Sequence, residues 1–485
     1  MSESHPTDYA QFLQRKSQIG NARGFKATFL PDCMFGFQKH LAEWNVWQGC
    51  SADYADCGLG KSLIELVVAE NAIRHTNRPA LIMTPLAVSN QTEREAKKFG
   101  IDAKVSKDGK PHKNITITNV ERLHLFNPDD YSFVAYDESS GLKNFTGARR
   151  KQITRFMSKM PYRLLATATP SPNDYVELGT SSEALGELTY SEMLKRFFQQ
   201  LDDKGQKREL KLQYEAEALI EHDPSYFKKL AYRVAQTIGQ WRLRHHAVTH
   251  FWRWVASWAR ACRMPSDLGF SNDGFVLPEL RERDHLITPE SPPPGEMFNV
   301  PAFGMQEERA ERRRTITERT EYVAKLVDHN RPAVVWCQMN DEADRLEEII
   351  PDAKQIAGRT PDDRKVELYD AFTSGELRVL IIKPKIGALG LNWQHCNHVV
   401  TFASHSYEQY YQSIRRCWRF GQKLPVQLDV IATEGEVRVL ANMRAKAKRA
   451  TEMFKALVQE MNNATRIVNQ EVKTKTEVPT WLSTK

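Results

Sequence analysis

One short loop constrains this chain more than any other feature of its sequence. Residues 55–62 read Ala-Asp-Cys-Gly-Leu-Gly-Lys-Ser, and the apolar-spaced, helix-like run 63–69 follows directly. Gly58 and Gly60 let backbone N–H groups close around a ligand, because glycine has no Cβ and tolerates a positive φ. A loop of this kind that opens a helix is typical of phosphate binding.

A nucleoside triphosphate would use this loop residue by residue. Lys61 would reach the β- and γ-phosphates, and the Ser62 hydroxyl would bind Mg²⁺. The predicted cofactor-binding residues of the loop are Gly58, Leu59, Gly60, Lys61 and Ser62. Ala55 stands where a glycine usually begins such a loop, and a chance Gly-Lys turn is the alternative interpretation.

Gln38, upstream of the loop, is a candidate for reading a base. It begins a helix-like run that contains Leu41, Trp44 and Trp47. Its amide offers one donor and one acceptor, which suits the edge of adenine. A helix-capping glutamine is the alternative.

Composition excludes several classes of protein. At 485 residues the chain is too long for one core, so two or three domains are expected. Its seven cysteines are scattered without a C-x-x-C pair, which suits a reducing cytoplasm and argues against a disulfide framework or a zinc site. His395-Cys396-x-His398 could imitate a metal cluster, but a strand is expected to enter a core there. No apolar run is long enough to span a bilayer, so we expect a cytoplasmic protein without a membrane partner.

The charge of the chain favours a polyanionic partner. The net charge is +7, and the segment from Arg438 to Lys485 holds ten Lys and Arg against four Glu. Residues 141–160 add six Lys and Arg and no acid. Both segments could face a nucleic acid, or they could be solvated helix faces.

Apolar runs alternate with helix-length stretches in two parts of the chain, which predicts two parallel sheets built from βαβ units. In the first part the runs are Ala80–Met83, Ile115–Ile117, Phe133–Tyr136 and Leu164–Ala168. In the second part they are Ala333–Cys337, Val379–Ile382, His398–Phe402 and Val426–Ile431. The strand expected before the phosphate loop, Cys50–Tyr54, has a weak pattern. Functional groups of such sheets gather at the carboxyl ends of the strands.

Those strand ends carry the candidate chemistry. Asp137 and Glu138 follow a strand directly, so Asp137 could hold Mg²⁺ and Glu138 could orient or deprotonate a water. A strand-ending acidic turn is the alternative. Thr84-Pro85 and Thr169 end two other strands, where they could contact backbone phosphates or simply stop the strand.

The second part of the chain has no phosphate loop of its own, and two other segments are its candidate contributions to a site. Gly387–Trp393 is glycine-rich, and residues 412–422 carry several arginines. Arg416 and Arg419 are three apart, so both project from one face of a helix. Paired guanidinium groups can stabilise the charge on a transferring phosphoryl group, although solvated surface arginines are the alternative.

Between the two parts of the chain that alternate strands and helices, the apolar residues have helical spacing. Phe251, Trp252, Trp254 and Trp258 are predicted to pack inside it, and base stacking is the alternative. The proline-rich segment that follows is the clearest linker.

Taken in order, these segments resemble the superfamily-two helicases and, within them, the Swi/Snf-like DNA translocases. The phosphate loop, the adenine-reading Gln, the acidic strand end, the threonine-rich element and the arginine helix all have matches. Three details favour the Swi/Snf-like branch: Gly141-Leu142-Lys143-Asn144, Gly387–Asn392 and Arg416–Gln422. The resemblance covers about Phe35 to Ile431 apart from the helical middle. The chain looks most like compact members encoded by bacteriophages and prophages.

The resemblance implies an α/β fold with two RecA-like lobes, ATP and Mg²⁺ between them, a helical insertion and a helical basic C-terminal tail. The implied segments are a lead-in at 1–32, lobe 1 at 33–180, the insertion at 181–288, a linker at 289–305, lobe 2 at 306–435 and the tail at 436–485. The implied catalytic residues are Lys61, Asp137, Glu138, Gln412, Arg416 and Arg419. The implied nucleic-acid contacts are Thr84, Pro85, Lys143, Asn144, Thr169, Gly390, Asn392 and Trp393. The expected partner is duplex DNA, with RNA as an alternative and a protein contact possible through the insertion.

Three positions depart from the family pattern. Ser140 replaces the usual His, so the coupling between γ-phosphate sensing and the threonine element is expected to be weaker or rerouted. Ala168 stands where Gly is common, and Arg415 replaces a frequent glycine before the arginine pair. Three functions therefore stay open: a duplex translocase, a strand-separating helicase, and an ATP-gated binding protein with negligible turnover.

Overall fold

Two parallel β-sheets, each covered by helices, form the core of the protein. The computed structural model describes residues 22–85, 88–143, 147–201, 241–299, 302, 304–387 and 391–473. We call the parts built on the first and second sheets lobe 1 and lobe 2. The two-lobed parallel architecture predicted from the sequence is confirmed.

The first sheet has seven strands, and all of its neighbours pair in parallel. Its strands are β1 Cys50–Ala55, β2 Ala80–Thr84, β3 Ala103–Val105, β4 Ile115–Asn119, β5 Phe133–Asp137, β6 Tyr162–Ala166 and β9 Ala259–Cys262. Their order across the sheet is β3-β4-β2-β5-β6-β1-β9. A separate antiparallel pair is formed by β7 Phe198–Gln200 and β8 Trp241–Leu243.

The second sheet has six strands, again all parallel. Its strands are β10 Leu280–Ile287, β11 Ala333–Trp336, β12 Ala353–Ile356, β13 Val379–Ile382, β14 His398–Phe402 and β15 Val426–Thr433. Their order is β10-β15-β14-β11-β13-β12. Alternate residues of β11 enter different clusters, Val334 and Trp336 on one face and Ala333 and Val335 on the other. Burial on both faces explains why these strands read as continuous apolar runs.

The described α-helices surround both sheets. They are α1 Gly36–Gln48, α2 Lys61–Thr76, α3 Ser89–Lys98, α4 Ala148–Met157, α5 Leu178–Leu185, α6 Tyr190–Phe197, α7 Val248–Trp258, α8 Gly304–Arg314, α9 Ile316–Leu326, α10 Asn340–Ile349, α11 Asp362–Ser374, α12 Pro384–Gly387, α13 Tyr407–Ile414 and α14 Val437–Lys473. None of the helices in the described ranges has the length and apolarity that crossing a membrane requires.

Strand β1 lies between β6 and the edge strand β9, although its sequence signal is weak. All six of its residues are buried, and it pairs with β6 on one side and with β9 on the other. Because β1 contains small and polar residues such as Ser51 and Asp53, it does not form a continuous apolar run in the sequence. Hydrogen bonding to a strand on each side therefore stabilises β1 as a strand, although its side chains do not form an apolar run.

The structure corrects the interpretation of residues 181–288 as a helical insertion. This stretch contains helices, but β9 completes the first sheet and β10 begins the second. The aromatic run forms α7, and the side chains of Phe251, Trp252, Trp254 and Trp258 are all buried in the core of lobe 1. The packing interpretation of these aromatic residues is therefore confirmed, because base stacking needs exposed rings.

The long C-terminal helix α14 joins the two lobes. It follows β15 of lobe 2, yet Met453, Phe454, Leu457 and Met461 are buried in the core cluster of lobe 1. Arg263, just after β9, lies over the Phe454 ring at 4.4 Å from its centroid. This part of the basic tail is thus a packed structural element.

Candidate active site

The phosphate loop lies between the end of β1 and the start of α2, as the sequence predicted. Gly58 and Gly60 have φ values of 87° and 84°, where a side chain would be strained. A Cβ on Gly60 would lie 2.3 Å from the Gln38 amide nitrogen, and one on Gly58 would lie 3.2 Å from the Phe420 backbone nitrogen. Both positions therefore need glycine, for close approach as well as for conformation.

Lys61 is surrounded by acidic groups at the first turn of α2. Its ammonium donates to the carbonyls of Ala55 at 3.0 Å and Asp56 at 3.3 Å. Burial lowers the pKa of Lys61, but attraction by the nearby acidic groups, including Glu138 and Asp137, outweighs this and leaves the pKa raised. Lys61 is thus a fixed cation at the loop.

Asp137 and Glu138 end β5 beside the phosphate loop. Glu138 has φ 55°, a left-handed conformation that costs a non-glycine residue about 1 kcal/mol or more. That turn lets the Glu138 backbone N–H donate to Asp137 Oδ1 at 2.9 Å. Burial, with repulsion from Glu138, raises the pKa of Asp137 to about 7. A strained backbone and a perturbed carboxyl in a cleft are typical of functional sites.

The threonine element is joined to Glu138 directly. Thr167 Oγ1 donates to Glu138 Oε2 at 3.3 Å and accepts from the Thr169 backbone N–H at 3.0 Å. Ser140, in contrast, donates back to the Glu138 carbonyl at 3.5 Å. The contact between Glu138 and the threonine element is therefore made by Thr167, and the effect of Ser140 on coupling stays a prediction.

Two buried carboxyl groups near Lys61 escaped sequence reasoning. Glu65 is 1% exposed with neither carboxyl oxygen bonded, and Asp53 is 1% exposed with Oδ1 unbonded. Burial and repulsion from Asp137 raise the pKa of Glu65, and burial raises that of Asp53 to about 7. An acid within the apolar run that follows the loop was the available signal for Glu65.

The described residues hold no group of three or more His, Cys, Asp and Glu side chains arranged for a metal ion. Mg²⁺ does not require such a cage, because it is usually held by one or two carboxylates, waters and substrate phosphates. Asp137, Ser62 and the uncompensated acids beside them fit that pattern.

The arginine segment of lobe 2 lies against the phosphate loop of lobe 1. Gln412, in α13, donates from its amide to Glu138 Oε2 at 3.2 Å. Arg416 Nη2 lies 4.0 Å from Cys57 Sγ, within the loop itself. The structure therefore brings Gln412, Arg416 and Arg419 together with Lys61 and Glu138, as the sequence predicted.

Arg416 and Arg419 share one acceptor and have no counter-ion in the described part of the chain. Both guanidinium groups donate to the Leu391 carbonyl, at 3.1 and 3.2 Å. Burial and the neighbouring Arg416 lower the pKa of Arg419 to about 10. Two crowded guanidinium groups beside a phosphate loop form an environment that an anion would stabilise.

A buried ion pair between the lobes was not predicted. Arg415 Nη2 donates to Asp56 Oδ2 at 2.8 Å and to the Cys57 carbonyl at 2.9 Å. The Tyr411 hydroxyl donates to Asp56 Oδ1 at 2.6 Å. Nothing local in the sequence marks these residues as partners.

Gln38 is tied to the loop that it precedes. Its Nε2 donates to the Leu59 carbonyl at 2.9 Å, and its Oε1 accepts from the Phe35 N–H at 3.0 Å. Leu59 is buried, and its role in binding a nucleotide stays a prediction. The role of Gln38 in reading adenine stays a prediction.

The predicted nucleic-acid contacts differ in exposure. Asn392 is exposed and Pro85 is partly exposed, whereas the Thr84 hydroxyl is buried and bonds Ser89 at 2.8 Å. Lys143 forms an ion pair with Glu408 across the lobes. Thr169 is buried beside Thr167. Asn144 and Gly390 lie outside the described residues.

The prediction for Trp393 is corrected by the structure. Its side chain is 1% exposed and packs against Trp336 and Phe372, with ring centroids 5.7 and 5.3 Å away. A ring buried in the core of lobe 2 cannot stack on a base. The neighbouring Asn392 is the exposed residue of this segment.

The basic segment 141–160 forms part of an amphipathic helix. In α4 the side chains of Ile153, Phe156 and Met157 are buried, whereas Arg149 and Lys151 are exposed. An exposed basic helix face explains the sequence pattern without a ligand. A nucleic-acid contact at this face stays a prediction.

Comparisons with known proteins agree with the two-lobed fold. Residues 318–421 match the family model of the helicase conserved C-terminal domain. The crystal structure of the DUF1998 helicase MrfA bound to DNA and AMPPNP aligns with a TM-score of 0.50 and 12% identity, covering 93% of this chain and 58% of that chain. The chain thus spans little more than half the length of MrfA, and the likeness establishes a shared two-lobed fold.

A second solved structure has lower similarity. The Sulfolobus solfataricus SWI2/SNF2 ATPase core in complex with dsDNA aligns with a TM-score of 0.40 and 16% identity, covering 93% of this chain and 99% of that chain. No curated protein sequence matches the chain significantly.

Proposed function

We propose that this protein is a nucleic-acid-stimulated ATPase that couples ATP hydrolysis to movement on DNA, as a translocase of the Swi/Snf-like branch of superfamily two. The observation that carries the proposal is the pair Arg416 and Arg419. These two guanidinium groups lack a counter-ion among the described residues and lie across a closed cleft from the phosphate loop. The γ-phosphate of ATP would supply the missing negative charge.

In this mechanism lobe 1 binds the nucleotide. Backbone N–H groups around Gly58 and Gly60 hold the β-phosphate, and Lys61 holds the β- and γ-phosphates. Ser62 and Asp137 would hold Mg²⁺, which would neutralise charge that develops on the phosphates. Gln38 would contact the adenine edge, with the nearby loop carbonyl fixing its orientation.

Glu138 orients the attacking water, and its own position is fixed from both lobes. Thr167 and Gln412 both donate to Glu138 Oε2. Because Thr167 belongs to lobe 1 and Gln412 to lobe 2, the carboxylate reaches its full set of partners only when the cleft is closed. Closure therefore couples hydrolysis to the relative position of the lobes.

Movement on DNA follows if a strand binds across both lobes and favours closure. Hydrolysis then reopens the cleft, and the strand-end residues of the two lobes grip the backbone in turn. Pro85 and Lys143, which are partly exposed, would act for lobe 1, and the exposed Asn392 for lobe 2, whereas Thr84 and Thr169 are buried beneath this edge. The DNA seen with MrfA supports this choice of partner by analogy of fold.

The test is the ATPase rate with single-stranded DNA, duplex DNA and RNA compared side by side. We expect duplex DNA to give the largest stimulation and Lys61→Ala to remove turnover with every nucleic acid. Binding to the backbone predicts an affinity that falls steeply with salt and ignores base sequence. Wild-type protein that binds ATP without turnover under all three conditions would contradict the proposal.

Substrate geometry separates the translocase from a strand-separating helicase. A translocase displaces the third strand of a triplex but leaves a forked duplex intact, whereas a helicase opens the fork. We expect triplex displacement that requires ATP and is lost in Glu138→Gln. Fork opening at a comparable rate would replace translocation by strand separation.

A further inference from the structure

We propose that Arg415 and Asp56 form an inter-lobe latch that positions the catalytic arginines over the phosphate loop, an inference that rests on the proposed function for its effect on turnover. Asp56 belongs to the phosphate loop of lobe 1, and Arg415 immediately follows α13 of lobe 2. The pair is therefore a positioning device built from one residue of each lobe. Tyr411, one turn earlier on α13, completes it.

The contacts of the latch are specific. Asp56 Oδ1 accepts from the Tyr411 hydroxyl and from the Cys57 backbone N–H, both at 2.6 Å. Asp56 Oδ2 accepts from Arg415 Nη2 at 2.8 Å, and the same nitrogen donates to the Cys57 carbonyl at 2.9 Å. Each carboxylate oxygen thus has a partner from lobe 2.

Burial makes the latch sensitive to the loss of either partner. The side chains of Arg415 and Asp56 are 5% and 8% exposed. Burial lowers the pKa of Arg415, but attraction by Asp56 and Tyr411 outweighs this and leaves the pKa raised. Removing one partner leaves an uncompensated buried charge, which is far more unfavourable than losing a surface pair.

The two residues of the latch are next to the groups that are proposed to act on ATP. Asp56 lies two residues before Gly58, and Arg415 directly precedes Arg416. Fixing Asp56 against Arg415 therefore sets the distance between the loop that binds phosphate and the guanidinium group that faces it. Misplacement of a catalytic group by about 1 Å can lower a rate on the order of 10²-fold.

Another ion pair between the lobes has a different character. Lys143 and Glu408 also join lobe 1 to lobe 2, but the Lys143 side chain is 33% exposed. Solvent weakens a pair of that kind. Asp56 and Arg415, in contrast, join the phosphate loop to the arginine segment at a place that is shielded from water.

Cysteine labelling tests the latch without any turnover. Cys57 lies at the latch and is buried, Cys33 is exposed, and Cys337 is buried within the second sheet. We would treat the full-length protein with N-ethylmaleimide and follow each cysteine by peptide mass spectrometry. In Arg415→Gln we expect Cys57 to label at least tenfold faster than in the wild type, with Cys337 still protected.

Two variants control for general destabilisation. Glu342→Gln breaks the Arg319–Glu342 pair, in which both side chains are fully buried inside lobe 2. It should lower the thermal midpoint without selective labelling of Cys57. Arg415→Lys keeps the charge and should restore part of the protection. Unchanged Cys57 labelling in Arg415→Gln, or equal acceleration at Cys337, would overturn the latch.

The kinetic arm tests positioning. Arg415→Gln should lower kcat at least tenfold with KM for ATP changed less than threefold, and Asp56→Asn combined with Arg415→Gln should be no slower than the worse single variant. Losses that multiply in the double variant would overturn a shared role. If the wild type fails to hydrolyse ATP, the proposed function fails, and Cys57 labelling still decides whether the pair holds the lobes together.

Discussion

The two lobes bury charge in different ways. In lobe 2, Arg319 and Glu342 form an ion pair at 2.6 Å with both side chains fully buried, and Asp429 accepts from His398 and His285 at 2.8 Å each. In lobe 1, Glu65 and Asp53 are equally buried but keep carboxyl oxygens without a partner. These charged groups of lobe 2 are therefore satisfied inside the lobe, whereas Glu65 and Asp53 of lobe 1 are not.

The presence or absence of a partner distinguishes buried charged groups that stabilise the fold from those that are candidates for function. Uncompensated buried groups lower stability, so they persist where a ligand or a reaction uses them. Those of lobe 1 gather around Lys61, at the phosphate loop. The exception in lobe 2 is the pair Arg416 and Arg419, which faces the same loop. Charges without partners thus gather at one cleft.

The largest expected effect follows from the charges of lobe 1 itself. Lys61→Ala and Glu138→Gln should each abolish ATP turnover, a loss of about 10³-fold or more, because they remove the cation that we propose binds phosphate and the carboxylate that we propose orients water. Glu138→Gln should still bind ATP, measured by equilibrium binding of a fluorescent analogue.

The matched control changes a carboxylate of lobe 2. Glu342→Gln should lower the thermal midpoint and leave the ATPase rate per folded molecule within about twofold, because a partner inside the fold is lost rather than a reacting group. Normal turnover by either lobe 1 variant would refute the assignment of the cleft.

The next effect tests the exception in lobe 2. Arg416→Ala and Arg419→Ala should each lower kcat on the order of 10³-fold, because a guanidinium group that meets the transferring phosphoryl group stabilises the transition state. Steady-state ATPase kinetics at saturating DNA measure this. A loss below about tenfold would make them packing residues of the cleft instead.

Sequence reasoning found the parts of the site that are local in the chain. The loop at 55–62, the acidic strand end and the arginine segment are short patterns whose chemistry is carried by neighbouring residues. The structure brings them together because the carboxyl ends of both sheets face one cleft. Parallel βαβ topology, which the apolar rhythm predicts, is enough to expect this convergence.

The features that could not be predicted from the sequence depend on contacts between residues that are far apart in the chain. Asp56 and Arg415 are 359 positions apart, and neither belongs to a pattern that names the other. The hydrogen bond from Thr167 to Glu138 could not be predicted for the same reason, so Ser140 indicated a weaker or rerouted coupling without showing which residue contacts Glu138. Trp393 was misassigned because a motif gives position in sequence but not exposure, which the core of lobe 2 decides.

A smaller effect is expected on stability when a buried Asp is replaced by Asn in each lobe. Burial raises the folded pKa of Asp53 to about 7, above its ordinary 3.8, so stability falls as pH rises towards 7. Asp53→Asn should therefore stabilise the protein at pH 8 by up to about 4 kcal/mol, a gain that shrinks towards pH 4.

Asp429→Asn should have the opposite sign. Burial alone would raise the pKa of Asp429, but hydrogen bonds from His398, His285 and Gln427 lower it to about 2. Its contribution is present above pH 4 and disappears as pH falls towards 2, so Asp429→Asn should destabilise the protein at pH 8 by about 2 kcal/mol. Urea unfolding at pH 4.5 and pH 8 measures both variants. Equal signs would mean that the lobes do not differ in this way.

The smallest expected effect concerns the lobe 2 segment that we propose contacts DNA. Trp393→Phe keeps a ring in the core and should change the affinity for duplex DNA by less than twofold, although stability falls. Asn392→Ala removes an exposed amide and should weaken binding by about fivefold, as expected for one lost hydrogen bond near 1 kcal/mol. Fluorescence anisotropy with a labelled duplex at low salt measures both. If Trp393→Phe weakened binding more than Asn392→Ala at a temperature where both are folded, the buried ring would have to leave the core of lobe 2 to contact DNA.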